Sequence, residues 1–401
     1  MKIAMLANAR KIHTLRWCRF LRDSGHTVRL FSDDPPPPDF VYTDIRHVGP
    51  QWSWWRRNWH FRVCHDPLGN ERFKWAAYHQ AIHDFAPDVI HAQEAVGYGP
   101  SLAHFPEYAR VLMPWGSDME SLADSPPKRA AMIRSGAAAA HVITTNACGL
   151  ESHWSQLSGV PEERFELFSW GVDFGVFRRP DAETVAAVAR RLGLSPTARV
   201  VLSPRMSRPY CRIDTIMEGW IATASQLPRE AVLVILRGGG DDDFWRVLKG
   251  EIERTRATSV RLIDEMLTPE EMAAVYTRAE ATIMMPRTDL VAMSLLEAMA
   301  CGSLPILCDN PCYRTVADPV GEEGAMSDRG VAIYTSAATA EGVGGALRRW
   351  AALTTEQRAA AAQRNAEHIR TQHDWHHNAP RLLQVYERAL DLAQRKSDRR
   401  H

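Results

Sequence analysis

Short apolar runs alternate with longer stretches of helical periodicity from one end of the chain to the other. KIAMLAN (2–8), VRLF (28–31), DVIHA (88–92), RVLMP (110–114) and HVITT (141–145) read as strands buried on both faces. A second series follows, with RVVLSP (199–204), AVLVILRG (231–238), VRLID (260–264), ATIMMP (281–286), LPILCD (304–309) and GVAIY (330–334). Helical patterns between the runs predict two doubly wound α/β domains with parallel sheets. The stretch FSWGVDFGVFRRPDAET (168–184), rich in glycine, aromatic and turn residues, separates the two series and reads as a linker. From Trp375 to Lys396 the pattern predicts one long amphipathic helix. The expected organisation is an N-terminal Rossmann-like domain over 1–175, a second over 180–374, and a C-terminal helix (375–401) crossing back onto the first. Two such halves predict a ligand in the crevice between their strand ends.

Composition narrows the function classes. The 401 residues carry 48 Lys+Arg and 48 Asp+Glu, so no global attraction to nucleic acid follows, and no nucleic-acid partner is expected. No apolar stretch approaches the length of a membrane span, and the N-terminal run is short for a signal peptide. Seven scattered cysteines fit a reduced, cytoplasmic protein. Cys301, Cys308 and Cys312 lie close in sequence but lack a partner pair at zinc-site spacing, and no metal is expected. PPPP (35–38) predicts a stiff loop, and no internal repeat is present.

The densest chemistry lies in ATIMMPRTDLVAMSLLEAMACGSLPILCD (281–309). A strand ends near Pro286, a loop carries Asp289, a helix starts near Ala292 or Met293, and Gly302 closes it. Amides at such a helix start (Val291, Ala292, Met293, Ser294) favour an anion. The Glu297 carboxylate just beyond suits two neighbouring hydroxyls, as a ribose presents, and Asp289 suits hydroxyls of another sugar. On these residues alone, a buried helix with Glu297 as a capping or ion-paired residue fits equally well.

LLEAMACGSLPI resembles the signature of the family-4 retaining glycosyltransferases of the GT-B fold, in which an E-x7-E motif runs into such a helix. RVVLSPRMSRPYCRIDTIMEGW (199–220), VLVILRGGGDDDFWRVL (232–248) and VRLIDEMLTPEEMAAVYTRAEATIMMP (260–286) resemble the segments that precede it, in order and at similar spacing. PDVIHAQ (87–93) and WGVDFGVF (170–177) resemble pieces of the family's first half. The resemblance implies two Rossmann-like domains facing across a cleft. It implies transfer of a sugar, with retention, from a nucleotide diphosphate-sugar to a glycan, lipid-linked or small-molecule acceptor, without a metal or other cofactor. The departing β-phosphate oxygen would help take the acceptor proton. Polysaccharide, glycolipid and natural-product pathways all suit it. Two other readings stand beside the transferase: a sugar-nucleotide epimerase of the same fold, and a non-catalytic sugar-nucleotide-binding partner protein.

The resemblance assigns catalytic roles to Arg205, Asp289 and Glu297. It assigns donor binding to Arg205, Arg212, Gly238, Gly239, Asp289, Glu297 and the amides of 291–294. Two departures stand out. The first acid of E-x7-E is Asp289, one methylene shorter, and the lysine that follows the phosphate-binding arginine is replaced near Tyr210 and Cys211, leaving Arg208 or Arg212 to compensate. In the first half, ANARKIHT (7–14) stands where many members have paired glycines, with Thr14 as a helix N-cap, and MPWGSD (113–118) stands where many carry a histidine. Candidates there are His13, His91, Trp115, Gly116, Ser117 and Asp118. Asp241–Asp243 reads as a solvated helix start rather than a metal motif, Gly238–Gly240 as a tight turn, and His373, His376 and His377 as non-metal histidines. Finally, RHVGPQWSWWRRNWHFR (46–62) combines tryptophans and arginines without an acid, which suits either a peripheral contact at the inner face of the membrane or an acceptor pocket.

Overall fold

The computed structural model describes residues 1–34, 46–48, 78–321 and 329–398. The chain divides into two compact units, one formed by Met1–Phe168 with Ala379–His401, the other by Ser169–Asn378.

The first unit holds a seven-stranded parallel sheet of β1 (Lys2–Leu6), β2 (Thr27–Phe31), β3 (Arg46–Val48), β4 (Val89–Gln93), β5 (Ala109–Met113), β6 (Val142–Thr145) and β7 (Phe165–Leu167), in the order β3-β2-β1-β4-β5-β6-β7. The second unit repeats the plan with β8 (Arg199–Ser203), β9 (Ala231–Leu236), β10 (Val260–Ile263), β11 (Ala281–Met284), β12 (Leu304–Leu307), β13 (Ala317–Pro319) and β14 (Gly330–Tyr334), in the order β10-β9-β8-β11-β12-β14-β13. Every residue of β4, β5, β11, β12 and β14 is buried, which is why these strands read as unbroken apolar runs. Each sheet has a central reversal of order, between β1 and β4 and between β8 and β11, and in the second β14 and β13 also exchange places at the edge. Helices leave on opposite faces on either side of that reversal, and the strand ends open a crevice there.

Three short strands, β3, β7 and β13, lay outside the predicted runs. Each has only three residues, and FEL and ADP carry too little apolar pattern to announce themselves. The single helix expected over 375–396 is two: Trp375–Asn378 and Arg381–Asp398. Pro380 has no N–H to continue the ladder, so the chain turns at 379–380. This break coincides with the division between units after Asn378. The other division, after Phe168, falls earlier than the boundary expected at 175. Val172 explains it: its N–H donates to the His373 carbonyl (2.6 Å) and its carbonyl accepts from the Trp375 N–H (2.9 Å), which ties this stretch to the second unit.

Thr14 is not an N-cap. The helix starts at Ile12 behind Lys11, and Thr14 sits inside its first turn, donating to Gln93 Oε1 at 2.9 Å. The PPPP run and residues 49–62 of the Trp- and Arg-rich segment lie outside the described residues. Cys18, Cys211, Cys301, Cys308 and Cys312 are buried free thiols, and Cys148 is an exposed one. Among the described residues, no helix is long and apolar enough to cross a membrane.

Candidate active site

The β8/β11 reversal brings the signature residues of the second unit together. Arg205 lies in the loop after β8, and Asp289 in the loop after β11. Arg205 Nη2 lies 3.1 Å from Asp289 Oδ2, and its Nη1 donates to Ser294 Oγ at 3.3 Å. Both charged side chains are mostly enclosed, with 17% and 12% of their surface exposed. Burial works against the Arg205 charge, but the Asp289 carboxylate together with Tyr313, Cys211 and Tyr210 outweighs it and raises the guanidinium further above its usual range. Burial pushes the Asp289 carboxyl above the ordinary carboxylate range, against the pull of Arg205 and of hydrogen bonds from Tyr313 and the Leu290 amide.

Ser294 belongs to the helix Met293–Ala300, which starts behind Ala292 as expected and ends with Gly302 in the left-handed region (φ +84°). Alanine is among the poorest N-caps, and no side chain caps this helix. The neighbours differ. Asp181, Asp241, Thr268, Asn310, Thr339 and Thr354 each cap a helix of the same unit with a side-chain hydrogen bond. The helix Ile213–Thr223 also starts without a side-chain cap, behind Arg212. Arg212 holds a left-handed backbone (φ +52°), a conformation that costs a non-glycine residue about 1–3 kcal/mol and collects at functional sites. Both uncapped helix starts follow the loops that carry Arg205 and Asp289. Uncapped amides and a positive dipole end are what an anion requires. Arg212 is half-buried and acts electrostatically on Cys308 at the end of β12, whereas Arg208 is exposed.

Glu297 sits one turn along, half-buried, with the Tyr276 hydroxyl 3.4 Å from its Oε2. Gly238 and Gly239 adopt left-handed φ of +59° and +69° in the turn after β9. That turn is tied to the Arg205 loop: Ser207 N–H donates to the Arg237 carbonyl (2.9 Å), and Asp241 N–H to the Ser207 carbonyl (2.8 Å). A Cβ on Gly240 would collide with the Ser207 backbone. Asp241 caps Asp242–Thr255, while Asp242 and Asp243 pair with Arg237 and Arg246. The triplet is a helix start, as read from the sequence. His373 meets the Ser169 hydroxyl at 2.7 Å, and His376 lies 3.9 Å from Asp173.

In the first unit the candidates gather on the loop after β5. Asp118 organises it: its carboxylate accepts from the amides of Ala95 (2.6 Å), Trp115 (2.9 Å) and Met119 (3.1 Å). Gly116 takes φ +112°, which a side chain would strain. His13 stands edge-on to Trp115, with ring centroids 5.8 Å apart, and Ser117 is exposed beside them. Burial, with Arg16 and Lys11 close by, lowers the His13 pKa to about 4, so the imidazole is neutral at physiological pH. His91 does not belong with them. It is fully buried, and its Nδ1 pairs with the Tyr386 hydroxyl (2.6 Å) of helix Arg381–Asp398, because β4 is enclosed on both faces.

Comparison with known proteins agrees with this fold. Residues 2–147 match a family described as "Glycosyl transferase 4-like", and residues 242–384 one described as "Glycosyl transferase-like". The D-inositol 3-phosphate glycosyltransferase of Thermobispora bispora is 28% identical over 251 residues, which cover 60% of this chain and 54% of that one. The aligned stretch thus spans about half the length of this curated relative. Sucrose-phosphate synthase of Thermosynechococcus elongatus superposes with a TM-score of 0.75 at 15% identity, over 96% of this chain and 98% of that one. Anabaena HepE, solved with UDP and glucose, superposes with a TM-score of 0.77 at 13% identity, over 96% and 99%. The chain has the GT-B fold.

Some residues that shape this candidate site were not read from the sequence. Tyr313 donates to Asp289 Oδ2 at 2.7 Å, and Asn310 Nδ2 donates to the Asp289 carbonyl at 3.2 Å. The Asn310-Pro311 pair signals a helix start, but nothing local shows that the helix turns its tyrosine toward a loop some twenty residues earlier. Glu94, after β4, carries a left-handed φ of +67° that no local residue pattern announces.

Proposed function

We propose that this protein is a glycosyltransferase that moves a sugar from a nucleoside diphosphate-sugar to an acceptor hydroxyl with retention at the anomeric carbon and without a metal. One observation carries the reading: a charged arginine and an uncapped helix start meet where the second sheet reverses, a site suited to a diphosphate. Arg205 and the amides of Met293 and Ser294 stabilise the charge that grows on the leaving diphosphate. Arg212 supplies the second cation that the missing lysine would give. Glu297 binds the ribose hydroxyls. The leaving β-phosphate oxygen accepts the acceptor proton, so no separate nucleophile is needed. His13, Trp115, Gly116 and Ser117 hold the acceptor, with the tryptophan face and a neutral imidazole suited to an uncharged sugar or polyol.

A thermal-shift panel of nucleoside diphosphate-sugars tests the donor, because a ligand that binds only the folded state raises its melting temperature. With the donor in hand, proton NMR of the product reads the anomeric configuration, and release of free nucleoside diphosphate separates transfer from epimerisation. Activity persists in excess chelator on this reading. A loss restored by manganese or magnesium would reject the roles given to Arg205 and the helix amides. If the acceptor is lipid-linked, the 46–62 stretch is its membrane contact, and the protein floats with anionic liposomes at low salt. A protein that stays in the soluble fraction under those conditions leaves the acceptor in solution.

A further inference from the structure

We propose that Tyr313 and Asn310 lock Asp289 so that its carboxylate positions Arg205, making Asp289 a residue that acts on the diphosphate through Arg205 rather than on sugar hydroxyls. The proposal rests on the donor-site reading above and adds a positioning device to it.

The geometry is closed on three sides. Asp289 Oδ2 is shared: Tyr313 Oη donates to it at 2.7 Å, and Arg205 Nη2 lies 3.1 Å away. The main chain is held as well, because Asn310 Nδ2 donates to the Asp289 carbonyl at 3.2 Å. The same Asn310 accepts the Cys312 N–H on its Oδ1 at 2.9 Å, capping the short helix Pro311–Arg314 that presents Tyr313. One asparagine therefore fixes both the loop and the tyrosine that grips it. Tyr313 is fully buried, so its hydroxyl has no water to turn to, and a charged acceptor gives the strongest partner.

The shorter side chain makes sense here. An aspartate keeps its carboxylate close to its own backbone, within reach of Arg205 and Tyr313 together. A buried carboxylate that loses a hydrogen-bond donor tends to take up a proton, and a neutral Asp289 would release Arg205. The phenolic bond favours the charged form and opposes that tendency. Tyr313 remains a donor throughout, because burial and the adjacent carboxylate keep its own pKa well above the usual value. The ionisable groups facing this centre are Arg205, Tyr210 and Cys211 from the β8 side, and Cys308 and Tyr313 from the β12 side.

The test is a double-mutant cycle of Tyr313→Phe and Asp289→Asn, read in two ways. Melting temperature against pH, without ligand, reads the lock. The difference between wild type and Tyr313→Phe should widen as pH rises through the Asp289 titration, because the phenolic bond is strongest to the ionised form. In the Asp289→Asn background the same difference should not vary with pH. A difference that does not vary with pH in the native background overturns the lock. Steady-state kinetics read the positioning. Tyr313→Phe should lower kcat about tenfold, the value of one hydrogen bond to a charged group, with donor KM moving far less. The acid limb of the rate profile should shift to higher pH. Wild-type kcat and an unmoved acid limb, or an equal loss of kcat in the Asp289→Asn background, would reduce Tyr313 to a packing residue and overturn the proposal. Wild-type protein that turns over no donor at all would sink the functional reading, and with it the kinetic half, while the melting data would still judge the lock separately.

Discussion

The loop after β11 follows the strand at the reversal of its sheet and the loop after β5 follows a strand one place further out, and the two use their polar groups in opposite ways. In the second unit, Arg205 and Asp289 are paired at the mouth of the sheet reversal, and the helix that follows leaves its first amides without a side-chain cap. In the first unit, the carboxylate of Asp118 is turned inward onto the amides of Ala95, Trp115 and Met119, and what remains outward is Trp115, Ser117 and a neutral His13. On the proposed function, one surface would meet charge and the other an uncharged, hydroxyl-bearing face. A diphosphate has one chemistry and an acceptor has many, so on that reading the first arrangement is general and the second particular to its substrate.

Arg205→Ala should have the largest effect. Removing a preorganised donor from a developing charge costs about 100- to 1,000-fold in kcat, and donor KM should move much less, because the leaving-group charge grows toward the transition state. If KM alone rises, Arg205 is a plain binding residue and the contrast between the two loops loses its catalytic meaning. Glu297→Gln comes next. It keeps size and loses charge-assisted bonds worth about 1.5–3 kcal/mol each, so donor affinity should fall tenfold or more in calorimetry. Unchanged affinity in a folded variant removes Glu297 from the ribose.

How far the sequence carried follows the same division. The buried strands and the 281–309 motif were legible because each reads locally: an apolar run, a loop, a helix start and a closing glycine in order. Asp289 and Arg205 were both named from sequence, but their ion pair spans more than eighty residues and depends on β8 lying beside β11. Tyr313 was missed for the same reason, since only the sheet order brings the segment after β12 against the loop after β11. His91 misled because a histidine in a strand next to a candidate loop looks accessible. Only the packing of helix Arg381–Asp398, from the far end of the chain, shows that it is enclosed against Tyr386. The break at Pro380 was visible as a residue type, and the amphipathic periodicity running through it obscured the turn.

The buried histidines give a smaller effect, in stability rather than rate. Burial lowers the His91 pKa from 6.5 to about 3, and His13, also near Arg16 and Lys11, falls to about 4. Both are neutral in the folded protein and take up protons near pH 6.5 when unfolded. Their contribution to stability is therefore whole above about pH 6.5 and is lost as pH falls toward 4 and then 3. Melting temperature should decline over that range. His91→Asn keeps a hydrogen-bonding atom for the Tyr386 hydroxyl and removes the titration, so its decline should be shallower. A curve of wild-type slope would show that His91 is not held neutral, and the first unit would be less rigidly closed than the structure has it.

The smallest effect tests the comparison most directly, because it should separate into two signs. Ala292 has the extended backbone of an N-cap (φ −63°, ψ 135°) but no side-chain oxygen to offer the first amides of Met293–Ala300. Serine at that position would accept from the amide of Ser294 or Leu295 and stabilise the fold by about 0.5–2 kcal/mol. If those amides serve the donor diphosphate, the new oxygen competes with the phosphate, and the more stable protein should bind donor more weakly. The helix Ile12–Asp23 provides the control. It also lacks a side-chain cap, and Lys11 at its N-cap has a similar extended backbone (φ −90°, ψ 125°). Lys11→Ser should stabilise the protein to a similar degree and leave donor affinity unchanged. Denaturant melts give the first number for each variant, and calorimetry with the donor found in the thermal-shift panel gives the second. A gain in stability at 292 with no loss of donor affinity would mean that the uncapped start of Met293–Ala300 is an unimproved helix end, and that Arg205 and Arg212 carry the phosphate without it.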